Sequence, residues 1–334
     1  MSAPELSVIV PCLNEESTIL LLLDALRQQS YPANKFEVII ADGLSEDGTR
    51  NVIADFQQSH KLPEVILLDN PSRSIPKALN LAIEAARSQT ILRLDAHSLP
   101  DSDYLEKSLA DLETGLGWNV GGLWLIKPGA DTWVADSIAL AAAHPFGIGD
   151  AKYRYANAAQ SVDTVPFGCF KKSLIEKIGP FDETLQSNED YEFNARIRAA
   201  GGLVWFNPRI RSQYFARGNF RDLARQYLRY GYWKFRMLSK FPATIRMRQA
   251  LPPLFVLGLG LGSFLANIWP VANILWLGAV VSYVAILAFI GIQASLQHRN
   301  LRHLFGIPSA IALMHLSYGS AFLWSAIRSF GNKK

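Results

Sequence analysis

The run LSVIVP (residues 6–11) is apolar on both faces, and runs of this kind recur at regular intervals along the first part of the chain. A strand with two apolar faces is typical of a parallel sheet that is covered by helices on both sides. Each run is followed by a stretch whose apolar residues have helical spacing. The strand-like runs lie at 6–11, 36–42, 64–69 and 90–96, and the helical stretches lie at about 16–28, 48–60, 75–87 and 101–113. The pattern predicts an α/β fold with a parallel sheet, in which ligands bind beyond the carboxyl ends of the strands.

The pattern is less regular after residue 118. A strand-like run at 163–172 and helices near 132–143 and at 188–202 are predicted there.

The C-terminal part of the chain has a different composition. Apolar residues make up 49 % of the whole sequence, and no Asp, Glu, Lys or Arg occurs from Leu251 to Gln297. A helix on the surface of a soluble domain would need a polar face, so this segment predicts membrane helices. Three apolar spans, at about 251–269, 272–293 and 307–327, are each close to the roughly twenty residues that cross a bilayer. The third span contains His315, and a re-entrant or interfacial course is the alternative to a full crossing.

A basic segment precedes the first of these spans. Between Trp205 and Arg248 there are eleven Lys or Arg residues and a single acid, Asp222. Positive charge beside a membrane span favours the cytoplasmic side, where it would also attract anionic headgroups. Nucleic-acid binding is the less favoured alternative, because the segment adjoins an apolar span and not a nucleic-acid-binding motif. Two cysteines give no disulfide framework, which suits a reducing compartment.

Polar side chains follow three of the predicted strands. Asn14 and Glu15 follow the first strand, Asp42 ends the second, and Asp95 and His97 end the fourth. The carboxyl ends of parallel strands meet at one edge of the sheet, so we expect these residues near a common crevice. Asp95 and His97 alternate along a strand and should point the same way. Such a pair suits a divalent ion that also holds a diphosphate, with the imidazole favouring Mn²⁺ over Mg²⁺. The alternative is a histidine that is only hydrogen-bonded at the end of a strand.

Several short motifs occur in the order and spacing of a known enzyme family. They are SVIVPCLNEE, ADGLSEDGT, ALNLAI followed by LRLDAHSLP, FGCFKK followed by IGPFDE, NEDYEFNARIRAAGG and QYLRY. Over about residues 6–235 the chain resembles the inverting family 2 glycosyltransferases with a GT-A fold, a Rossmann-like, mostly parallel sheet with flanking helices. Within that family it is similar to the ExoA-like branch of bacterial succinoglycan and exopolysaccharide assembly, which also has DAH in place of the commoner DxD.

The resemblance implies roles for the residues at the strand ends. Asp95 and His97 would replace the DxD pair and bind a divalent metal, Mn²⁺ or Mg²⁺, together with the donor diphosphate. Asp42 would hydrogen-bond the uracil edge of the donor. The donor-nucleotide set implied in this way is Pro11, Asn14, Glu15, Asp42 and Asp95.

The resemblance also implies roles for two later motifs. NED contains the Glu189 and Asp190 pair of the family, and Asp190 would be the base that deprotonates the attacking hydroxyl. QYLRY matches the pattern Q-x-x-R-W, with Tyr in place of Trp. Glu189, Gln226, Arg229 and Tyr230 would close over the donor and acceptor. Without the resemblance, Asp190 would be a residue that stabilises a helix dipole, and the QYLRY helix would be an interfacial helix at the bilayer.

The resemblance therefore implies a membrane-bound inverting glycosyltransferase. It would transfer a sugar, glucose from UDP-glucose in a β linkage, to a polyprenyl-diphosphate-linked saccharide at the cytoplasmic face of the cell (inner) membrane. The expected partners are the UDP-sugar, the lipid-linked acceptor, the bilayer and a polysaccharide-assembly complex, and no nucleic acid. The expected divisions are a catalytic domain at 1–235 with an interfacial helix at about 220–236, a basic linker at 236–250, and a multi-pass anchor of about three helices at 251–330.

Two alternatives stay open. A polyprenyl-phosphate glycosyltransferase would attack with a lipid phosphate oxygen and would not need Asp190 as a base. A non-catalytic nucleotide-sugar-binding scaffold is favoured by the departures from DxD and Q-x-x-R-W. It is opposed by the presence of Glu15, Asp42, Asp95 and Asp190 together.

Overall fold

The computed structural model describes residues 3–331 and divides into two compact units. The first unit runs to Leu125 and takes up again from Lys152 to Tyr214. The second consists of Ile126–Ala151 and the chain from Phe215 onward. This division follows internal contacts, and the functional boundary that the sequence suggests at residue 235 stays a prediction.

The described residues contain nine strands, and they form one sheet. The strands are β1 (Leu6–Cys12), β2 (Phe36–Asp42), β3 (Glu64–Asp69), β4 (Thr90–Arg93), β5 (Leu99–Pro100), β6 (Asn119–Lys127), β7 (Gln160–Val162), β8 (Cys169–Lys171) and β9 (Val204–Phe215). The α-helices are α1 (Ile19–Arg27), α2 (Thr49–Ser59), α3 (Ile75–Ala85), α4 (Tyr104–Glu113), α5 (Trp133–Ala143), α6 (Pro145–Ile148), α7 (Ser173–Ile178), α8 (Glu189–Ala199), α9 (Phe220–Lys240), α10 (Met247–Ala266), α11 (Pro270–His298) and α12 (His303–Gly331).

The sheet has the order β3-β2-β1-β4-β8-β6-β9-β5, with β7 paired to β9. Strands β1 to β4 pair in parallel, with β1 between β2 and β4. This confirms the parallel sheet predicted from the first hundred residues. Beyond β4, strand β8 is antiparallel to β4 and to β6, and β5 and β7 are antiparallel to β9. The sheet as a whole is therefore mixed.

Helix α1 illustrates why the flanking helices form where they do. Its buried residues Ile19, Leu22, Leu23 and Leu26 recur every three or four positions and join the core on one face of the sheet. Burying each such side chain stabilises the fold by about 1.5–3 kcal/mol. The core strands β1 and β2 are buried almost throughout, as their two apolar faces require.

The second unit is helical. Helix α12 packs against α5, α9, α10 and α11. Three of its helices, Met247–Ala266, Pro270–His298 and His303–Ser329, are long and apolar enough to cross a membrane. This confirms the three apolar segments predicted from the sequence. Large apolar side chains of α11 face outward, among them Ile274, Leu275 and Leu296, which are 70–75 % exposed. Exposed apolar surface of this kind is typical of membrane and protein-interaction faces.

His315 is a polar residue within the third apolar helix, and it is satisfied inside this unit. Its Nδ1 lies 3.0 Å from the hydroxyl of Tyr283, and its Nε2 lies 3.0 Å from the carbonyl oxygen of Phe146. A polar side chain in an apolar helix is tolerated when its hydrogen bonds are made within the protein.

Candidate functional site

The loops after β1 and β2 are joined by Asn14. Its side-chain oxygen accepts a hydrogen bond from the backbone N–H of Glu46 at 2.9 Å, and its own N–H donates to Ser45 Oγ at 2.8 Å. Asn14 has φ +54°, in the left-handed region that Asn tolerates better than most residues. Pro11 lies at the end of β1, beyond Ile9, where the pairing with β4 stops. The polar residues that follow β1 and β2 therefore lie together, as predicted.

Asp42 lies at the end of β2 and is fully buried. One carboxylate oxygen accepts from Arg50 Nη1 at 2.8 Å and from the N–H of Ser45 at 3.0 Å, and the other accepts from Ser45 Oγ at 2.5 Å. These three bonds occupy most of the roughly four acceptor positions of a carboxylate. Contact with a base would require the Ser45 loop to shift, and the role of Asp42 in uracil binding stays a prediction.

Asp95 and His97 lie in a turn, because β4 ends at Arg93. The N–H and hydroxyl of Ser98 both donate to the carbonyl oxygen of Asp95, at 2.9 and 2.7 Å. The sequence-based expectation that the two residues alternate along a strand is therefore wrong, because a local serine turn takes the hydrogen bonds that a strand would use. Both side chains are nevertheless accessible, with 23 % of the Asp95 side chain and 41 % of the His97 side chain exposed.

Glu15 contacts His97, which sequence reasoning did not foresee. Glu15 Oε1 lies 2.9 Å from His97 Nδ1, and Glu15 Oε2 accepts from the Thr18 hydroxyl at 2.5 Å. A carboxylate only accepts hydrogen bonds, so Nδ1 is the donor and a neutral imidazole keeps its lone pair on Nε2. This is the arrangement that commonly fixes the tautomer and ring orientation of a metal-binding histidine.

Arg93, the last residue of β4, is a buried residue that the sequence interpretation missed. Its Nε and Nη2 lie 3.2 and 3.1 Å from Asp95 Oδ1, and its Nη2 lies 2.8 Å from Glu189 Oε1. Burial alone would lower the pKa of the guanidinium, but the charges of Asp95, Glu189 and Asp190 raise it. An arginine inside an apolar strand needs acidic partners, and that requirement was the signal that could have revealed this contact.

The two acids at the start of α8 have different surroundings. Glu189 is buried against Arg93, whereas Asp190 is partly exposed and accepts a hydrogen bond from the N–H of Tyr191 at 2.7 Å. Asp190 lines a small cavity together with Arg93 and Asn119, and this cavity has room for about one water molecule. Of the pair, Asp190 is thus the acid that a reacting group could approach.

The remaining predicted residues lie on α9, in the second unit. Gln226 is buried and its Nε2 donates to the hydroxyl of Tyr230 at 2.9 Å, one helical turn away, while Arg229 is exposed. The structure thus brings Gln226 and Tyr230 together. The predicted role of these three residues and of Glu189 in closing over donor and acceptor stays a prediction.

Comparison with known proteins identifies the family. The sequence model described as "Glycosyl transferase family 2" matches residues 7–179, which is more than half of the chain and includes β1, β2, β4 and the Asp95–His97 turn. The chain belongs to glycosyltransferase family 2. It is accordingly a glycosyltransferase, as the sequence motifs predicted, although Asp190 lies beyond the matched segment.

Two curated proteins of glycan assembly are similar to this family 2 enzyme. It is 30 % identical to "Succinoglycan biosynthesis protein ExoA" of Rhizobium meliloti (strain 1021) over 99 % of this chain and 98 % of that protein. It is 28 % identical to "Dolichyl N-acetyl-alpha-D-glucosaminyl phosphate 3-beta-D-2,3-diacetamido-2,3-dideoxy-beta-D-glucuronosyltransferase" of Methanococcus voltae, over 70 % of this chain and 74 % of that protein. The likeness to the succinoglycan protein extends through the helices at the C-terminus.

A solved structure supports the fold assignment. The "Mannosyltransferase PcManGT from Pyrobaculum calidifontis in complex with GDP-Man and Mn2+" superposes with a TM-score of 0.63 over 100 % of this chain and 89 % of that chain, at 20 % identity. The GT-A fold predicted for this family 2 enzyme, an α/β sheet with flanking helices, is confirmed.

The residues around Asp95 and His97 fit a divalent cation. Asp95 offers a carboxylate and His97 offers one imidazole nitrogen as possible ligands. The Glu15 carboxylate orients that imidazole through its contact with Nδ1. Within residues 3–331, no cluster of three or more His, Cys, Asp or Glu side chains makes a closed metal centre. Phosphate-associated Mg²⁺ and Mn²⁺ sites usually take only one or two protein side chains and complete their shell with substrate oxygens and water. That Asp95 and His97 would hold the cation is compatible with this chemistry and stays a prediction.

Proposed function

We propose that the protein transfers glucose from UDP-glucose, in a β linkage, to a hydroxyl of a polyprenyl-diphosphate-linked saccharide in exopolysaccharide assembly. The full-length likeness to the succinoglycan biosynthesis protein carries this proposal, because it extends over the first unit and the apolar helices alike. The accessible carboxylate of Asp190, on the same guanidinium-centred cluster as Asp95, supports the assignment of the base.

The proposed reaction is a single displacement with inversion. The acceptor oxygen attacks C1 of the donor glucose, its proton passes to Asp190, and the bond between C1 and the diphosphate oxygen breaks to release UDP. A cation at Asp95 and His97 would neutralise the charge of the leaving diphosphate. Asn14 holds the loops after β1 and β2 together, so that the donor side of the site keeps its shape.

The membrane arrangement follows from charge and length. Helices α10, α11 and α12 would each cross the bilayer. The first unit and the basic loop between α11 and α12 would lie in the cytoplasm. A C-terminal reporter tests this topology: three crossings put the C-terminus outside, so an alkaline phosphatase fusion should be active and a GFP fusion dark. A bright GFP fusion would contradict three crossings from a cytoplasmic N-terminal unit.

The test of the base is Asp190→Asn in the full-length protein, solubilised in detergent and assayed for UDP release with Mn²⁺ and native lipid extract. Removing a general base lowers turnover by about 10²–10⁴-fold, and we expect a loss in this range without loss of UDP binding. Asp55→Asn is the matched control, because Asp55 is an exposed acid on α2 outside the site.

Each outcome separates one alternative. Near-normal turnover of Asp190→Asn would favour a polyprenyl-phosphate glycosyltransferase, whose phosphate nucleophile needs no base. UDP binding without turnover of any UDP-sugar on lipid acceptors would favour a nucleotide-sugar-binding scaffold. Turnover restricted to a different nucleotide sugar would remove glucose from the proposal and leave the transferase intact.

A further inference from the structure

The guanidinium of Arg93 lies between two parts of the proposed site that come from distant segments of the chain. Asp95 belongs to the turn after β4, and Glu189 begins α8, next to the proposed base Asp190. Arg93 donates to both acids, with N–O distances of 3.2 and 3.1 Å to Asp95 and 2.8 Å to Glu189. Among the described residues, Arg93 is the only charged side chain that contacts both an acid of the turn after β4 and an acid of α8.

Arg93 cannot be an ordinary surface cation. It is 5 % exposed, and a buried guanidinium is tolerated only when charges and hydrogen-bond acceptors compensate its lost hydration. Its partner Glu189 is also buried, at 6 % exposure, so neither side chain can move to water without the other. The Asp95 carboxylate is partly exposed, and its Oδ1 is held in place by the buried guanidinium of Arg93.

We infer that Arg93 is a positioning residue that couples the metal-binding acid Asp95 to the start of the base-bearing helix through Glu189. The planar fork of a guanidinium donates in fixed directions, so a shift of α8 would be transmitted to Asp95 and a shift of the β4 turn to α8. This inference rests on the proposed roles of Asp95 and Asp190.

Lysine at position 93 would keep the charge and lose the geometry. An ammonium on a flexible stem can approach one acid well, but it cannot hold two acids in the directions that the guanidinium fork sets. Arg93→Lys should therefore fold while loosening Asp95. Loss of groups that orient metal ligands typically weakens metal affinity about 10–100-fold, and we expect about 10-fold for this change.

The chain offers a control bridge at Arg87, whose side chain is half-exposed where that of Arg93 is buried. This residue also bridges two acids, with Nε 2.6 Å from Glu37 and Nη2 2.5 Å from Glu64, but these acids lie at the opposite, amino-terminal ends of β2 and β3. Arg87→Lys removes the same kind of bridge outside the proposed site. It should lower the melting temperature and leave metal affinity within about twofold of the wild type, a contrast that follows from its distance along the strands.

The experiment measures Mn²⁺ binding by EPR at saturating UDP, on full-length protein in detergent, for the wild type, Arg93→Lys, Glu189→Gln, their double variant and Arg87→Lys. Glu189→Gln keeps the shape of the side chain and weakens its hold on Arg93, so it should also reduce Mn²⁺ affinity although Glu189 is not a metal ligand. If Arg93 transmits the loss of Mn²⁺ affinity from Glu189 to Asp95, the loss caused by Glu189→Gln in the Arg93→Lys background should be less than half of the loss that it causes in the wild type.

The outcomes are decisive in each direction. Mn²⁺ affinity of folded Arg93→Lys within twofold of the wild type, or effects of the two changes that simply add, would overturn the coupling. If Arg93→Lys fails to fold, an unchanged affinity in Glu189→Gln overturns it. A wild type that binds UDP without any requirement for metal would instead overturn the proposed metal-donor site itself, which separates the two failures.

Discussion

Replacing Glu15 by Gln tests how His97 is held for metal binding. One oxygen of Glu15 lies 2.9 Å from His97 Nδ1 and the other lies 2.5 Å from the Thr18 hydroxyl, so the carboxylate is fixed on both sides. Gln keeps the shape but makes the bond to His97 neutral. A charge-assisted hydrogen bond contributes roughly 1.5–3 kcal/mol and a neutral one roughly 0.5–1.5 kcal/mol. The difference of about 1–1.5 kcal/mol, if it acted wholly on the metal-bound state, would lower Mn²⁺ affinity by about 5- to 12-fold, and this range is the upper bound that we expect.

The assay is an EPR titration of full-length protein with Mn²⁺ in the presence of saturating UDP. Glu46→Gln is the control, because Glu46 carries the same charge in the neighbouring loop but is 75 % exposed and pairs with Arg73. We expect the control to bind Mn²⁺ within about twofold of the wild type, as screened surface charges do. Wild-type affinity in Glu15→Gln, with affinity lost in His97→Ala, would refute the view that the carboxylate holds the imidazole. Equal losses in both Gln variants would trace the effect to charge and not to the contact.

Three further predictions concern stability and reactivity. Glu37→Gln should lower the free energy of unfolding by about 1–3 kcal/mol, because an amide cannot accept from all the Ser7 and Arg87 donors that the buried carboxylate serves, although the Arg87 side chain is half-exposed. Tm should fall by about 2–4 °C for each kcal/mol, and Glu64→Gln, whose acid is half-exposed, should lower it far less. Burial raises the pKa of the Cys169 thiol to about 12, so about one molecule in ten thousand is thiolate at pH 8, and N-ethylmaleimide should label this residue only after denaturation. Gly122→Ala should destabilise by about 3 kcal/mol or more, seen as loss of folded protein, because its Cβ would lie 1.9 Å from a carbonyl oxygen of β9. Native labelling of Cys169, or a normal Tm for either of the other variants, would contradict the packing described here.

The sequence was sufficient to predict the parallel half of the sheet. Strands β2 and β3 begin and end where the apolar runs do, and α1 to α4 lie inside the predicted helical stretches. Strand β2 is buried on both faces and each helix is buried along one stripe, and such burial gives the sequence a local apolar pattern; β3, at the edge of the sheet, is only half-buried but keeps an apolar run. The three long apolar helices were predictable for the same reason, since lipid imposes a simple composition on about twenty consecutive residues.

The antiparallel half was harder to predict. Strand β9 is twelve residues long and went unpredicted, because its exposed positions include Arg209 and Arg211, which were read as the start of the basic segment, and Pro208 interrupts its apolar alternation. The predicted strand at 163–172 is reduced to Cys169–Lys171. Its earlier residues Val165 and Phe167 are buried by tertiary packing outside regular pairing, and a single sequence cannot distinguish that from a strand.

Sequence motifs identified several residues of the candidate site but not the contacts between them. Motif and strand-end arguments predicted one shared metal-binding role for Asp95 and His97 and a separate role, as the base, for Asp190. Arg93 hydrogen-bonds both Asp95 and Glu189, the residue before Asp190, and the apolar run ILRLDA makes this arginine inconspicuous in the sequence. A charged residue within a strand that is buried on both faces has to be matched by acids from elsewhere in the chain. By that rule the acids of NED are candidate partners of Arg93, in addition to the strand-end acid Asp95 two residues away. The turn after β4 and the start of α8 are thus connected by the electrostatic requirement of a buried arginine, and not by any spacing that a motif records.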